Sequence, residues 1–241
     1  MTKAYDRKLE ASLKSSENFF DFYSTSGEVN PADMFVRKTT VKEARPYIAT
    51  HHYSHLMPDS TKEVYIGSYD RVLAGICVFG MGTGKHQYTR LIPTLQDGEY
   101  RELTRLWSPD TMPKNTESKL ISTSLRMLPS EVKIVLSYAD PYQGHQGTIY
   151  QASNWFYIGQ TKAGKKIVNH RNEEVHPRLI SMYRKKRAEY TRMKTADIIA
   201  DLGWRELQGN FKHRYCFLRG NKKQKTELKK YIQEFIKDYP K

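Results

Sequence analysis

The chain has 241 residues, 38% of them hydrophobic, with 40 Lys+Arg against 26 Asp+Glu for a formal charge of +14. A mean hydropathy of -0.73, with no apolar run near the ~18 residues of a membrane span, excludes an integral helical membrane protein and leaves room for one compact domain with a tail. The opening MTKAYDRKLEASLKSS lacks an apolar h-region, so no secretory signal is expected. Cys77 and Cys216 stand too far apart for a C-x-x-C motif and support neither a disulfide framework nor a cysteine zinc site.

In chain order, the first thirty residues mix a short polar helix with an aromatic patch of Phe19, Phe20, Phe22 and Tyr23. A strand is expected over Phe35 to Lys38. Thr40 and Glu43 form a capping-box pattern that opens a helix, which Pro46 should disturb before His51-His52-Tyr53. The β-rich runs Val64 to Tyr69 and Val72 to Phe79, separated by two residues, predict a hairpin. Further strands are expected over Glu102 to Trp107 and Lys133 to Tyr138. Between them lies a helix over Glu117 to Leu128, whose Leu120, Ile121, Leu125 and Leu128 recur at helical spacing. A short helix over Gly147 to Asn154 precedes a strand, Phe156 to Gly159. The chain closes with a helix at Thr195 to Leu202, a strand at Tyr215 to Arg219 and a basic helix from Thr226 to Asp238.

The charge is unevenly placed. Residues 1 to 160 carry a net +1 and residues 161 to 241 a net +13. Such an imbalance points to a polyanionic partner. The densest stretch, Lys162 to Lys194, interleaves its cations with Tyr183 and Tyr190, a composition suited to phosphate contacts and base stacking. Lys162, Lys165, Lys166, Arg171, Arg184, Lys185, Lys186 and Arg187 are its candidate DNA-binding residues; a solvated charged helix is the plainer reading.

Gly80-Met-Gly-Thr-Gly-Lys85 lacks the spacing and following Ser/Thr of a Walker loop and reads as a glycine-rich turn after a strand. Asp140-Pro141-Tyr142, at the end of a strand, suits chemistry at an exocyclic adenine amine: a carboxylate there can accept the N–H groups and help remove a proton. Asp-Pro also simply ends strands and opens turns. Amino-methyltransferases use a similar tetrapeptide with one more proline, yet no glycine-rich S-adenosylmethionine loop accompanies it here. His51, His52 and His55 have no clear third ligand, although His52 with Asp140 would suit Fe(II).

The strand-loop-helix at 102 to 128, followed by a strand and Gly-x-x-Tyr-x-x-x-Asn-Trp-Phe at 147 to 156, resembles the GNAT acyltransferase fold, an α/β architecture with a mixed central sheet flanked by helices. His52-Tyr53-Ser54-His55, Leu103-Thr-Arg-Leu-Trp107, Tyr138-Ala-Asp-Pro141 and Gly147-Thr-Ile-Tyr-Gln-Ala-Ser-Asn154 resemble the Mom family of phage DNA-modification proteins, over roughly residues 35 to 220. That resemblance implies conversion of adenine in double-stranded DNA to N6-(carbamoylmethyl)adenine, protecting it from restriction, in the cytoplasm of a phage-infected or prophage-carrying bacterium. It places His52, Tyr53, Asp140 and Tyr150 in the active centre, in one pocket beside the split between the strands ending at Ser108 and Tyr138.

The resulting organisation is an extension at 1 to 30, a GNAT-like catalytic domain at 31 to 220 carrying the basic segment 162 to 194, and a basic helix at 221 to 241. In a GNAT fold the donor's pyrophosphate meets the N-terminus of the helix after the loop, here Asn115, Thr116, Ser118 and Lys119. The usual acyl-CoA signature, Gln/Arg-x-x-Gly-x-Gly/Ala, is absent from 108 to 117, so the group donor stays open. The rival readings are an ordinary N-acyltransferase acting on a protein, small amine or tRNA, and a non-catalytic DNA-binding protein that has no use for Asp140, His52 or Tyr150.

Overall fold

The computed structural model describes residues 30, 33–70, 72–82, 84–175 and 178–240; apart from Asn30, the extension expected at 1 to 30 lies outside them. They form two compact units. The first holds the described residues up to Tyr138, Gly147–Gly159 and those from Arg214 on; the second holds the described residues of Ala139–Gln146 and Gln160–His213. Among the described residues no helix is long and apolar enough to cross a membrane.

The first unit is built on a mixed sheet. Strand β1 (Phe35–Thr39) leads into helix α1 (Val41–His51), whose N-cap Thr40 accepts a hydrogen bond from the Glu43 N–H at 3.2 Å. The expected capping box is half made, because the Glu43 carboxylate is taken by Arg37 and Thr39. Pro46 does not break the helix as expected. A mid-helix proline costs about 3 kcal/mol, and here Ala44, Tyr47 and Ile48 offset it by packing on Val64, Ile66, Ile76 and Val78 of the sheet.

β2 (Thr61–Tyr69) and β3 (Val72–Gly80) form the expected antiparallel hairpin, and Asp70 opens its turn at a left-handed φ of 53°. Both strands are buried along most of their length, as central strands covered on both faces must be. A short helix α2 (His86–Thr89), absent from the sequence reading, precedes β4 (Tyr100–Trp107). Helix α3 (Thr116–Met127) returns the chain to β5 (Ile134–Ala139), which lies parallel to β4. Two tyrosines of β2 tie down α3: Tyr69 bonds Thr116 at its start, and Tyr65 donates to the Met127 carbonyl at its end, each at 3.0 Å. Then follow α4 (Thr148–Ala152) and β6 (Phe156–Gln160).

In the second unit β7 (Lys165–Val168) pairs antiparallel with β8 (Glu174–Val175) and with β9 (Arg205–Gln208), giving the order β8-β7-β9. Helices α5 (Arg178–Lys186) and α6 (Thr195–Asp201) supply its small core, in which Ile180, Tyr190, Ile198 and Ile199 pack with Ile167 and Val175. The chain ends in the first unit with β10 (His213–Leu218) and α7 (Lys222–Ile232), which starts four residues before the expected Thr226 because Asn221 and Gln224 form a complete capping box. The large sheet has the order β1-β2-β3-β4-β5-β10-β6, so the fold is the mixed central sheet flanked by helices that the sequence predicts.

Two buried charges hold the sheet's lower half. Arg101 on β4 and Glu63 on β2, 6% and 5% exposed, meet through two hydrogen bonds of 2.8 and 2.9 Å. Hydrogen bonding to Glu63 pushes the Arg101 pKa up. Arg219, just after β10, donates to the carbonyls of Leu128, Pro129 and Val132, which close the end of α3. Removing one partner of a buried pair strands the other charge, so Glu63→Ala is expected to cost about 3–5 kcal/mol by urea denaturation. A loss below ~1 kcal/mol would mean that water reaches Arg101.

Candidate active site

The site begins where two strands part. β4 and β5 are in register from Tyr100↔Ile134 to Leu103↔Ser137 and no farther. On the other side of β4, Val78 and Phe79 of β3 oppose Arg105 and Leu103, leaving Thr104 as the extra residue of a bulge. A bulge re-aims the backbone that follows it. From Thr104 on, β4 therefore stays with β3 while β5 goes its own way.

At that fork Ser137 Oγ lies 3.2 Å from the Leu103 carbonyl and 2.8 Å from the Tyr150 phenol oxygen. Serine has one proton to share. That proton is shared between the Leu103 carbonyl and the phenol oxygen, both of which accept from Ser137. Tyr150 comes from α4, which opens at Gly147 with φ 81° pressed so closely on the Tyr215 ring that a Cβ there would collide with it. Its ring also packs on Trp155 and Tyr215, with centroids 5.1 and 4.9 Å away. At 6% exposure, burial pushes the Tyr150 phenol well above its ordinary pKa, the nearby Cys77, Tyr53 and Glu117 add to the rise, and the Ser137 bond only partly opposes it.

His52 caps the C-terminus of α1. Its Nδ1 accepts the Ser54 backbone N–H at 3.1 Å, with Ser54 Oγ at 2.9 Å, so the neutral ring carries its proton on Nε2. The His52 and Tyr53 rings lie 4.4 Å apart; His52 is buried, whereas Tyr53 is 51% exposed. His51 stacks on Trp107 at 4.8 Å, and Arg105 donates to the Leu56 carbonyl, so this turn is anchored on the far half of β4. Tyr53, in ring contact with His52, is thus also near enough to Tyr150 to raise its pKa. In the first unit His52 and Tyr53 are in ring contact, and Tyr150 lies within electrostatic range of Tyr53. Ser137, which the sequence reading passed over, joins Tyr150; its one signal was a lone serine in an apolar strand.

Asp140 follows β5 in the chain and belongs to the second unit. There it does what an Asp before Pro commonly does: Oδ1 accepts the Tyr142 N–H at 3.1 Å, capping the 3-10 turn Pro141–Gln143, while Oδ2 sits 3.6 Å from Lys212 Nζ. Among the described residues no group of three or more His, Cys, Asp or Glu is placed to hold a metal ion, so the Fe(II) site expected from His52 and Asp140 has no assembled ligand set.

At the helix expected to meet the donor, Asn115 has φ 71° and its side chain makes no cap. The Thr116 hydroxyl is buried against Tyr69, and the Ser118 hydroxyl donates to the Asn115 carbonyl at 3.0 Å. In the Gly80 to Gly84 turn a Cβ at Gly82 would strike the Glu102 carboxylate, and that carboxylate repels an anion.

The basic segment also sorts into roles. Arg184 donates to the Met193 carbonyl and to Thr195 at 3.0 and 2.9 Å. Arg187 covers the rings of Tyr183 and Tyr190 at 4.9 and 5.4 Å. Lys165 pairs with Glu206 at 2.7 Å, and Lys166 is half-buried on β7. Lys162, Arg171, Lys185 and Lys186 are exposed and form no ion pair among the described residues.

The model of the Mom protein family matches residues 33–241. The chain belongs to that family. Over 120 residues it is 36% identical to the methylcarbamoylase Mom of Escherichia phage Mu, an alignment covering 48% of this chain and 49% of the phage protein, so the chain spans about half the length of that relative. Similar solved structures include a GNAT family acetyltransferase from Elizabethkingia anophelis with acetyl-CoA bound, at 11% identity and TM-score 0.41 over 78% of this chain and 99% of that one. Another is the ribosomal-protein-alanine N-acetyltransferase of Brucella melitensis, at 7% identity and TM-score 0.44 over 77% and 99%.

A buried phenol that keeps its proton makes stability depend on pH in one direction. The unfolded phenol loses its proton near pH 10, whereas folded Tyr150 holds it to higher pH, so stability is full below about 10 and falls above it. Tyr150→Phe is expected to flatten this alkaline loss in urea denaturation between pH 9 and 11. An unchanged slope would show that Tyr150 titrates normally.

Proposed function

We propose that the chain is a phage-type DNA modification enzyme, a transferase that converts adenine in double-stranded DNA to N6-(carbamoylmethyl)adenine and so shields the DNA from restriction. The observation that carries this reading is the match to the Mom family over residues 33–241, and the placing of Tyr150 at the fork of β4 and β5, with Tyr53 in its electrostatic range and in ring contact with His52, supports it. The phage Mu relative is a methylcarbamoylase. The enzyme would work in the cytoplasm of the phage's host.

The chemistry assigns distinct tasks. The N6 electron pair forms the new N–C bond, the donor's leaving group departs with its own pair, and the N6 proton passes to a base. Tyr150, held protonated by burial, is suited to donate a hydrogen bond to the donor and unsuited to act as the base. On His52, Nδ1 is occupied by Ser54 and is not open to chemistry. Asp140 is the carboxylate assigned to the amine proton. A phosphate-bearing donor of the acyl-CoA class would meet the first turn of α3 near Asn115, Ser118 and Lys119, with Thr116 contributing backbone alone.

Mass spectrometry of nucleosides from DNA co-expressed with the protein should show the carbamoylmethyl adenine. Asp140→Asn keeps an oxygen for the Tyr142 N–H but removes the charge, so it should preserve the melting temperature and lose the product. Asp140→Ala should in addition lose about 1 kcal/mol from the missing cap. Wild-type product yield from Asp140→Asn would refute its role as base, and unmodified adenine with the wild-type protein would refute the activity.

Binding to duplex DNA should weaken ~10-fold or more between 50 and 200 mM salt. Replacing Lys162, Arg171, Lys185 and Lys186 together with Gln should reduce the slope of log K on log salt by ~0.9 for each phosphate that is no longer neutralised, without altering the melting temperature. An unaltered slope in this variant would place the DNA elsewhere.

A further inference from the structure

The first unit holds a cavity of about 890 Å³ to which neither the sequence motifs nor the proposed activity assigns a role. Its walls include the later half of α3, the start of β6, the end of β10 and one face of α7, and its cations are Arg126, Arg219, Lys222, Lys225 and Lys229. No carboxylate lines it. Arg219 is spent on the carbonyls of Leu128, Pro129 and Val132. The other four are exposed and make no ion pair among the described residues; Arg126 reaches only Thr123. Lys225 and Lys229 rest instead on the rings of Phe217 and Phe156, at 5.6 and 5.3 Å.

This arrangement works against the helix that carries it. Lys222 lies in the first turn of α7, which has no acidic residue, at the end where the helix dipole disfavours a cation. Lys225 and Lys229 continue the same stripe at spacings of three and four, where like charges repel. An anion between α7 and α3 would relieve both conflicts. Lys222 to Lys229 spans ~10 Å at the rise of an α-helix, the length of about three phosphates at ~3.4 Å of axial rise per strand. A single phosphate would engage one lysine and leave the others uncompensated.

We propose that this cavity grips the sugar-phosphate backbone of DNA through Lys222, Lys225, Lys229 and Arg126, as a contact surface separate in sequence from the basic segment at 162 to 194. The lysines leave their aromatic rings to meet phosphates, and Phe156 and Phe217 become free to pack against sugar or base. The inference rests on the reading of DNA as substrate for the identity of the polyanion.

Fluorescence anisotropy with a labelled duplex, followed across 50 to 200 mM salt, tests it. Lys222→Gln/Lys225→Gln/Lys229→Gln should bind ~10-fold or more weakly at 100 mM salt and should lower the salt slope by about 2 to 3. Arg126→Gln, on a different element, should lower it by about 1. Circular dichroism melts should match or exceed wild type, because all four side chains are exposed and the lysines oppose one another and the dipole along α7. Wild-type affinity and slope in the triple variant, with the wild-type protein binding DNA normally, would overturn the cavity while leaving the DNA reading intact. Absence of salt-dependent binding by the wild-type protein would overturn both. ADP binding that the triple variant abolishes, with duplex binding unaffected, would overturn the proposal in favour of a small nucleotide.

Discussion

The first unit turns on a backbone that must change partners without leaving a carbonyl bare. Thr104 is one residue too many for β3 to match, and just before it the pairing of β4 with β5 ends at Leu103↔Ser137. Buried carbonyls need partners. The Ser137 hydroxyl reaches the Leu103 carbonyl and the Tyr150 phenol together, so the same atom that closes the fork also sets the position of Tyr150. Apolar side chains would fill the volume, but they would leave that carbonyl without this hydrogen bond and the phenol without a fixed direction.

Around this fork the molecule spends its rigidity on positioning. Tyr69 and Tyr65 hold the two ends of α3, Trp107 holds the end of α1 through His51, and the aromatic cluster of Trp155 and Tyr215 holds α4. None of these side chains needs to react. Each removes a freedom from a neighbour, and burial in their midst is also what keeps the Tyr150 proton in place. Packing and protonation share a cause here, since the same burial that orients the phenol also holds its proton in place.

Charge divides along similar lines. The net +13 of residues 161 to 241 is a sum over unlike things. Arg184, Arg187 and Arg219 are fastened to carbonyls, hydroxyls and rings, and their planar, multidentate guanidinium suits that work. Lys162, Lys185 and Lys186, and the stripe of Lys222, Lys225 and Lys229, stand in water without carboxylate partners among the described residues. The second group is the more readily available to exchange counterions for phosphates.

Sequence alone determined most of the larger sheet, because its strands are long apolar runs and α3 repeats its leucines at helical spacing; local periodicity is enough when an element is buried along its length. It also determined the family, through short strings such as His52-Tyr53-Ser54-His55 and Gly147-Thr-Ile-Tyr150, and the gross placement of charge. It did not show β7, β8 and β9, which are two to four residues long and largely polar, so their pairing depends on partners distant in the chain. It expected Pro46 to disturb α1, whereas burial of that helix against the sheet outweighs the lost hydrogen bond. The ring contact of His52 with Tyr53, the bond of Ser137 to Tyr150, the turn-capping geometry of Asp140 and the division of arginines from lysines were decided by tertiary structure. Each is a relation between side chains whose meeting is decided by strand register, a bulge and burial, and none of these can be read from neighbours in the chain.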